Sequence, residues 1–179
     1  MTETLGGNTQ DLHGRAIDEL AEQRTGRFRD KTPDWEAFAD ARVDGFRRAQ
    51  HRFIGAGGSG KVTDKQLIPA SGFTLSIMYV EPGQGNASHT HEVEEVFFVL
   101  KGTLTVFLED NNGNRATRRI GPWELVSCPP DVIHGYINDS LEPVYFQVML
   151  GKGKPELMGY TDPKLFAERD AHLRSNEQG

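Results

Sequence analysis

The sequence predicts an all-β protein, an antiparallel sandwich or barrel led by a helical segment and followed by a short helix. Three observations carry this reading. From Ser71 onward the chain falls into short runs rich in β-branched and aromatic residues: FTLSIMYV, EVFFVLK, TLTVFLED, ATRRI, ELVSC, VIHGYIN and PVYFQVML. Between the runs stand EPGQGN, KG, NNGN, GP, PPD and NDSLEP, all rich in residues that turn the chain. Before and after this region the punctuation is that of helices. Many brief strands joined by Gly and Pro turns indicate two packed antiparallel layers or a closed barrel.

Taken in order, residues 1–10 are rich in Gly, Thr and Asn and read as disordered. Residues 11–60 read as a helical arm with a glycine-rich connector. A modest helix is expected from Asp11 to Arg24. A better-marked one lies in TPDWEAFADARVDGFRRAQ. Thr32 suits an N-cap, Pro33 the first helical position, and Asp34 and Glu36 complement the helix dipole. Trp35, Phe38, Ala39, Val43 and Phe46 recur at three- and four-residue steps, which makes one apolar face. Such a face docks on the sheet or on a second copy, so a homodimer is expected.

The connector GAGGSGKVT resembles a phosphate loop through Gly55, Gly60 and Lys61, but Val62 stands where a hydroxyl should meet magnesium. The adjoining segment VTDKQLIPASG lacks the helix whose N-terminus would present the amides. It is read as a flexible connector. Residues 61–151 hold the β-runs, and 152–179 end in TDPKLFAERDAHLR, a helix capped by Thr161 or Asp162 and started by Pro163.

At 179 residues and 36% hydrophobic, the chain supports one domain with its own core. A net charge of -6 and a pI near 5.5, with no basic run, exclude general affinity for nucleic acid or an anionic membrane. The single cysteine, Cys128, cannot form an internal disulfide and fits a reducing compartment. No stretch approaches the roughly 20 apolar residues that span a bilayer, and the start lacks a cationic and apolar leader. The expected location is cytoplasmic. Cys128 reads as a small buried filler; His13, His51 and His172 read as surface residues.

The chemistry concentrates in HTHEVEEVFF, residues 89–98. Along an extended chain alternate side chains share a face, so His89, His91 and Glu95 point one way and Glu92 and Glu94 the other. Phe97 and Val99 continue the first face and would keep the site partly dry. Imidazole with carboxylate is a ligand set for zinc, iron, manganese, cobalt or nickel. One more donor is wanted. His134, in CPPDVIHGYIN, lies among the β-runs, although alone it reads equally well as a core histidine bonded to a carbonyl.

The spacing Gly83, five residues, His89-Thr-His91, three residues, Glu95, six residues, Gly102 resembles the first motif of the cupin superfamily. Pro129, His134 and Asn138 resemble its second motif, with Asp131 in place of a glycine and Trp123-Glu124 in place of a Gly-Asp start. The resemblance runs from about Gly72 to Leu150 and implies a single jelly-roll barrel. It also implies a divalent metal held by His89, His91, Glu95 and His134, with Fe(II) first and Mn, Ni, Co or Zn as alternatives, and with positions left open for a guest. Cupins with such ligands include dioxygenases of flavonols and enols. The resemblance therefore implies a small-molecule substrate that is aromatic, flavonol-like or enolic, and dioxygen as its partner.

Glu95 and Tyr136 are the candidate catalytic residues, with Glu95 able to accept the substrate proton. Phe73, Tyr79, Phe97, Val99, Phe107, Tyr136 and Phe146 are the candidate pocket residues. The alternatives are a non-redox isomerase or lyase acting on a sugar or small carboxylate, and a binding protein without turnover. A sugar site would call for more inward polar residues than Tyr79, Tyr136, Asn138 and Gln147.

Overall fold

The computed structural model describes residues 17–177. The segment expected to be disordered, His13, and the first part of the helix expected from Asp11 lie outside that range. Within it, α1 spans Ile17–Gln23 and α2 spans Pro163–Glu177. The strands are β1 (Ala49–Ile54), β2 (Thr74–Val80), β3 (His89–Thr90), β4 (Glu95–Lys101), β5 (Leu104–Glu109), β6 (Arg115–Ile120), β7 (Leu125–Cys128), β8 (Ile133–Ile137), β9 (Val144–Leu150) and β10 (Gly159–Tyr160). They form two five-stranded sheets, in the orders β1-β2-β9-β4-β7 and β10-β3-β8-β5-β6, with every named pairing antiparallel. The chain stays within one sheet only from β1 to β2 and from β5 to β6, and crosses to the other sheet at every other step. This is a jelly-roll sandwich.

The two inner faces meet over a core that includes Met78, Val80, Phe97, Val99, Leu104, Val106, Val144 and Phe146. Strict alternation in β4 buries Glu95, Phe97 and Val99 and leaves Val96, Phe98 and Leu100 only half-buried. The motif glycines serve turns: Gly83 has φ +78° and Gly102 φ +83°, a region open to glycine without strain. Asp131, where the family pattern has glycine, adopts φ +62°, a conformation aspartate tolerates better than most residues. Cys128 is wholly buried, and burial pushes its thiol pKa up.

The segment from Thr32 to Gln50 corrects the sequence reading. It is not one helix. Asp34 bridges Gln50, a single 3-10 turn spans Ala39–Arg42, Gly45 adopts φ +86°, and β1 then pairs with β2. The physical reason is Asp40. It sits on the supposed polar side of the helix, yet it is 0% exposed and paired with Arg48 at 2.8 Å. Burying that pair outweighs the helical spacing of the apolar residues. Phe38 and Phe46 pack on the core, so the helix face expected to meet a second copy does not exist. The sheet accordingly begins at Ala49, inside the expected arm, and β10 lies beyond residue 151.

Strand β2 carries the second correction. Its buried residues are Thr74, Ser76, Met78 and Val80, whereas Leu75, Ile77 and Tyr79 face outward. The outer face is apolar because more of the chain covers it. Trp35 and Tyr145 meet Tyr79 at ring distances of 5.9 and 4.9 Å, and Phe28 packs on Tyr145 and His51.

His51 is therefore buried, as is His172, whose Nε2 lies 2.8 Å from the Glu36 carbonyl. Helix α2 starts as expected: the Asp162 carboxylate accepts from the Lys164 amide at 2.8 Å, and Leu165 is buried. Among the described residues no helix is long and apolar enough to cross a membrane.

Candidate metal centre

Three elements bring the four donors together. His89 on β3 lies directly opposite His134 on β8 in the ladder. His91 comes just after β3, held where its carbonyl accepts from the Asp131 amide at 2.9 Å. Glu95 opens β4 in the other sheet, so both layers contribute. All four side chains are buried, and one ligand atom from each lies within 4.8 Å of the others. Two donors facing each other across one ion, at bonds of roughly 2.1 Å, are about 4.2 Å apart. The set closes around one ion with little movement. Glu92 and Glu94 point away, toward Lys152 and Ser127.

Hydrogen bonds orient the rings. His134 Nδ1 lies 2.7 Å from the Val132 carbonyl, and His89 Nδ1 lies 3.0 Å from the Ala87 carbonyl. A carbonyl only accepts, so these Nδ1 atoms carry protons and the Nε2 atoms turn to the common centre, where His134 Nε2–H donates to Glu95. The Nε2 atoms of His134, His89 and His91 lie 2.8, 3.4 and 3.6 Å from the Glu95 carboxylate. Burial keeps His89 and His91 neutral and lowers the His91 pKa to about 4. Burial resists ionisation of Glu95, but the three imidazoles outweigh it and hold its carboxyl well below the usual range. For His134, too, burial resists the charge, and its bond to Glu95 raises the pKa. A divalent cation requires neutral imidazoles around an ionised carboxylate, so binding would take the second proton from His134.

Beside the donors is a small cavity of about 30 Å³. Phe38, Met78, Phe97, Tyr136, Val148 and Met158 form apolar walls, and Arg48, Gln50, Thr74, Ser76 and Asn86 polar ones. Of the expected pocket residues, Phe97 and Tyr136 line this cavity. Val99 and Phe146 are buried in the core and are not among the lining residues. Phe73 is 40% exposed before β2, Tyr79 is on the outer face, and Phe107 lies under the Arg115 guanidinium at 3.8 Å. These three do not reach the site, because strand parity turns them away.

Sequence reasoning missed the polar wall. The alternation of β2 could have revealed Thr74 and Ser76 had its inner face been set by Val80. Nothing in the sequence marks Arg48 or Gln50.

The glycine-rich connector is also part of the site. Gly57–Ser59 forms a 3-10 turn whose Gly57 and Gly58 line the cavity. A Cβ on Gly58 would stand 2.9 Å from His91 Cε1. Gly57 also borders a larger cleft between residues 60–70 and α2.

Residues 76–150 match the family model of the cupin domain. The chain carries a cupin domain, and its buried His3Glu cluster fits a divalent metal ion. No curated protein matches the sequence. Among solved structures, the polyketide cyclase RemF from Streptomyces resistomycificus superposes with a TM-score of 0.58 at 19% identity, over 84% of this chain and 96% of that one. Peruvianin-I, a cysteine peptidase from Thevetia peruviana latex, gives 0.57 at 16% identity over 79% and 80%. The oxalate decarboxylase of Lactobacillus farciminis, as its formate complex, gives 0.54 at 15% identity over 82% of this chain and 39% of that one. A cyclase, a peptidase and a decarboxylase sharing one architecture establish the fold and leave the reaction to the site.

Proposed function

We propose that the protein is a divalent-metal enzyme, with Fe(II) as the leading metal, that oxygenates a small enolic, phenolic or flavonol-like substrate. The observation that carries the reading is a buried His3Glu set opening onto a cavity lined by the rings of Phe97, Tyr136 and Phe38. A bound Fe(II) would supply an open coordination position and the redox chemistry that dioxygen requires.

This chain's residues do the rest. Glu95 accepts the substrate hydroxyl proton on one carboxylate oxygen. Phe97, Tyr136 and Met78 pack on the flat substrate and exclude water from its anion. Burial pushes the Tyr136 phenol pKa up, against the pull of Arg48, so it stays protonated and serves as a donor. The test is to load the protein anaerobically with Fe(II), offer flavonols, catechols and enediols, and monitor oxygen with an electrode. Oxygen uptake that matches substrate loss is the expected result. Substrate loss without oxygen uptake excludes the oxygenase.

A second reading has its own support, because the inward face of β2 is more polar than the sequence implied. Ser76 accepts from Gln50 Nε2 at 3.0 Å, and Thr74 stands beside it on the cavity wall. Such a strip suits a non-redox cyclisation, isomerisation or lyase reaction on an oxygen-rich acid, and RemF bears the name of a cyclase. Turnover in the absence of oxygen, with zinc or cobalt in place of iron, selects it.

A further inference from the structure

Among the described residues, Arg48 is the one cationic side chain on the cavity wall outside the imidazoles, and Glu95 the one carboxylate. Arg48 is 1% exposed and fixed on three sides. Its Nη2 donates to Asp40 Oδ1 at 2.8 Å, its Nη1 donates to the Phe46 carbonyl at 2.9 Å, and its plane lies over the Phe38 ring at 4.4 Å. Asp40 cannot turn to serve the remaining donor. Its other oxygen accepts from the Ala87 amide at 2.9 Å, and Oδ1 also accepts from the Tyr160 hydroxyl at 3.0 Å.

Arg48 Nε is left buried with no hydrogen-bond partner. A guanidinium does not shed its proton, and a buried N–H of a charged group without an acceptor is rare enough to call for one. Tyr136, Gln50, Thr74 and Ser76 on the surrounding wall are neutral, the Tyr136 phenol interacts with the guanidinium, and Gln50 and Ser76 are already bonded to each other.

We propose that Arg48 is a specificity-determining residue whose Nε–H binds an anionic oxygen of the substrate. The proposal rests on the reading that a divalent ion occupies the four-donor site. The substrate class it selects is a small molecule with oxygens on neighbouring carbons, one toward the ion and one toward Arg48. An α-hydroxy acid, an α-keto acid or an enediolate fits this description; a substrate with a single oxygen function does not.

The test uses the full chain loaded with Co(II), whose visible bands report ligands, titrated with oxalate as a two-point probe and azide as a one-point probe. Arg48→Lys keeps the charge beside Asp40 and removes Nε. It should raise the oxalate Kd about tenfold or more while moving the azide Kd less than about twofold. The double variant Asp40→Asn with Arg48→Met removes both charges and the Nε donor together, and it gives the same readout if the lysine variant does not fold. Tyr160→Phe, which loosens Asp40 without touching the cavity, should leave both constants unchanged. A folded, cobalt-loaded Arg48 variant that binds oxalate as the wild type does overturns the proposal alone. Wild-type protein that takes up no cobalt overturns the metal-site reading, and this one with it.

Discussion

The cavity has two walls built by different physics. One wall belongs to the jelly roll: His89, Glu95 and His134 ride on β3, β4 and β8, where ladder pairing and apolar burial fix each side chain, and His91 follows β3, held by the Asp131 amide. The other is the N-terminal stretch, which brings Phe38, Arg48, Gln50, Gly57 and Gly58. That wall is stitched by buried polar contacts: Asp40 with Arg48, Arg52 with Asp34 and Asp64, and Gln50 with Ser76. The contrast separates two tasks. A metal needs donors preset by rigid strands, so its affinity resides in the first wall. A guest at the proposed site would meet Phe97, Tyr136 and Met78 from the first wall and the Arg48 cation from the second.

The sharpest way to break this division is His91→Ala. Metal content by mass spectrometry should fall from about one ion per chain to near zero, with the far-UV circular dichroism unchanged. A variant that keeps its metal would remove His91 from the donor set. On the opposite wall, Arg48→Met leaves Asp40 charged, buried and unpaired, and should cost about 3–5 kcal/mol in urea unfolding. A loss below about 1 kcal/mol would mean that the ion pair does not hold this wall.

Gly58→Ala tests whether the walls meet. The added methyl would stand 2.9 Å from His91 Cε1 and 3.3 Å from Met158 Cγ, and no positive φ is at stake there. Displacing the ring should weaken metal binding about tenfold in a chelator competition. Unaltered affinity would show that the connector leaves the metal alone.

Acid sharpens the comparison further. His89 and His91 have lowered pKa values in the folded protein, the latter about 4, so the unfolded chain binds more protons between about pH 6.5 and 4. Glu95 adds stability above the ordinary carboxylate range that is lost below it. His134, raised, works the other way: its contribution is complete below about 6.5 and fades as pH rises through its folded value. Two imidazoles and the carboxylate outweigh one. The metal-free protein should lose stability from pH 6.5 to 4, read as a falling urea midpoint, and the loaded protein should release metal over the same interval. A flat midpoint across that interval would contradict the assignment.

The smallest effect is expected at Asp131→Gly. It relieves φ +62° but adds freedom to the unfolded chain, so the net change should stay within about 1 kcal/mol by thermal unfolding. A larger loss would assign the Asp131 side chain a structural task beyond the turn.

The site was legible where chemistry and period coincide. Histidine and glutamate at alternate positions beside buried aromatics fit one strand face only, so the donor face of residues 89–99 can be read from the sequence. Strand β2 was not legible in the same way, since apolar residues occupy both parities and only the packing of Trp35, Phe28 and Tyr145 over Tyr79 shows which side is outside. The helical spacing from Trp35 to Phe46 likewise described residues that pack on one core while hiding the turns that carry them there.

The sequence by itself determined the β-runs, their turns and the shared face of His89, His91 and Glu95, because strand alternation and glycine geometry are local and repeat every two residues or every turn; His134 joined them only through the resemblance to the cupin motifs. Tertiary structure alone decided that Asp40 and Arg48 would share a buried pair, that β1 would extend the sheet, and that a glycine turn would press on His91. Those contacts join residues 8 to 120 positions apart along the chain, as Asp40 with Arg48 and Asp40 with Tyr160 show. Their energy comes from desolvation and partner geometry, which no local pattern records.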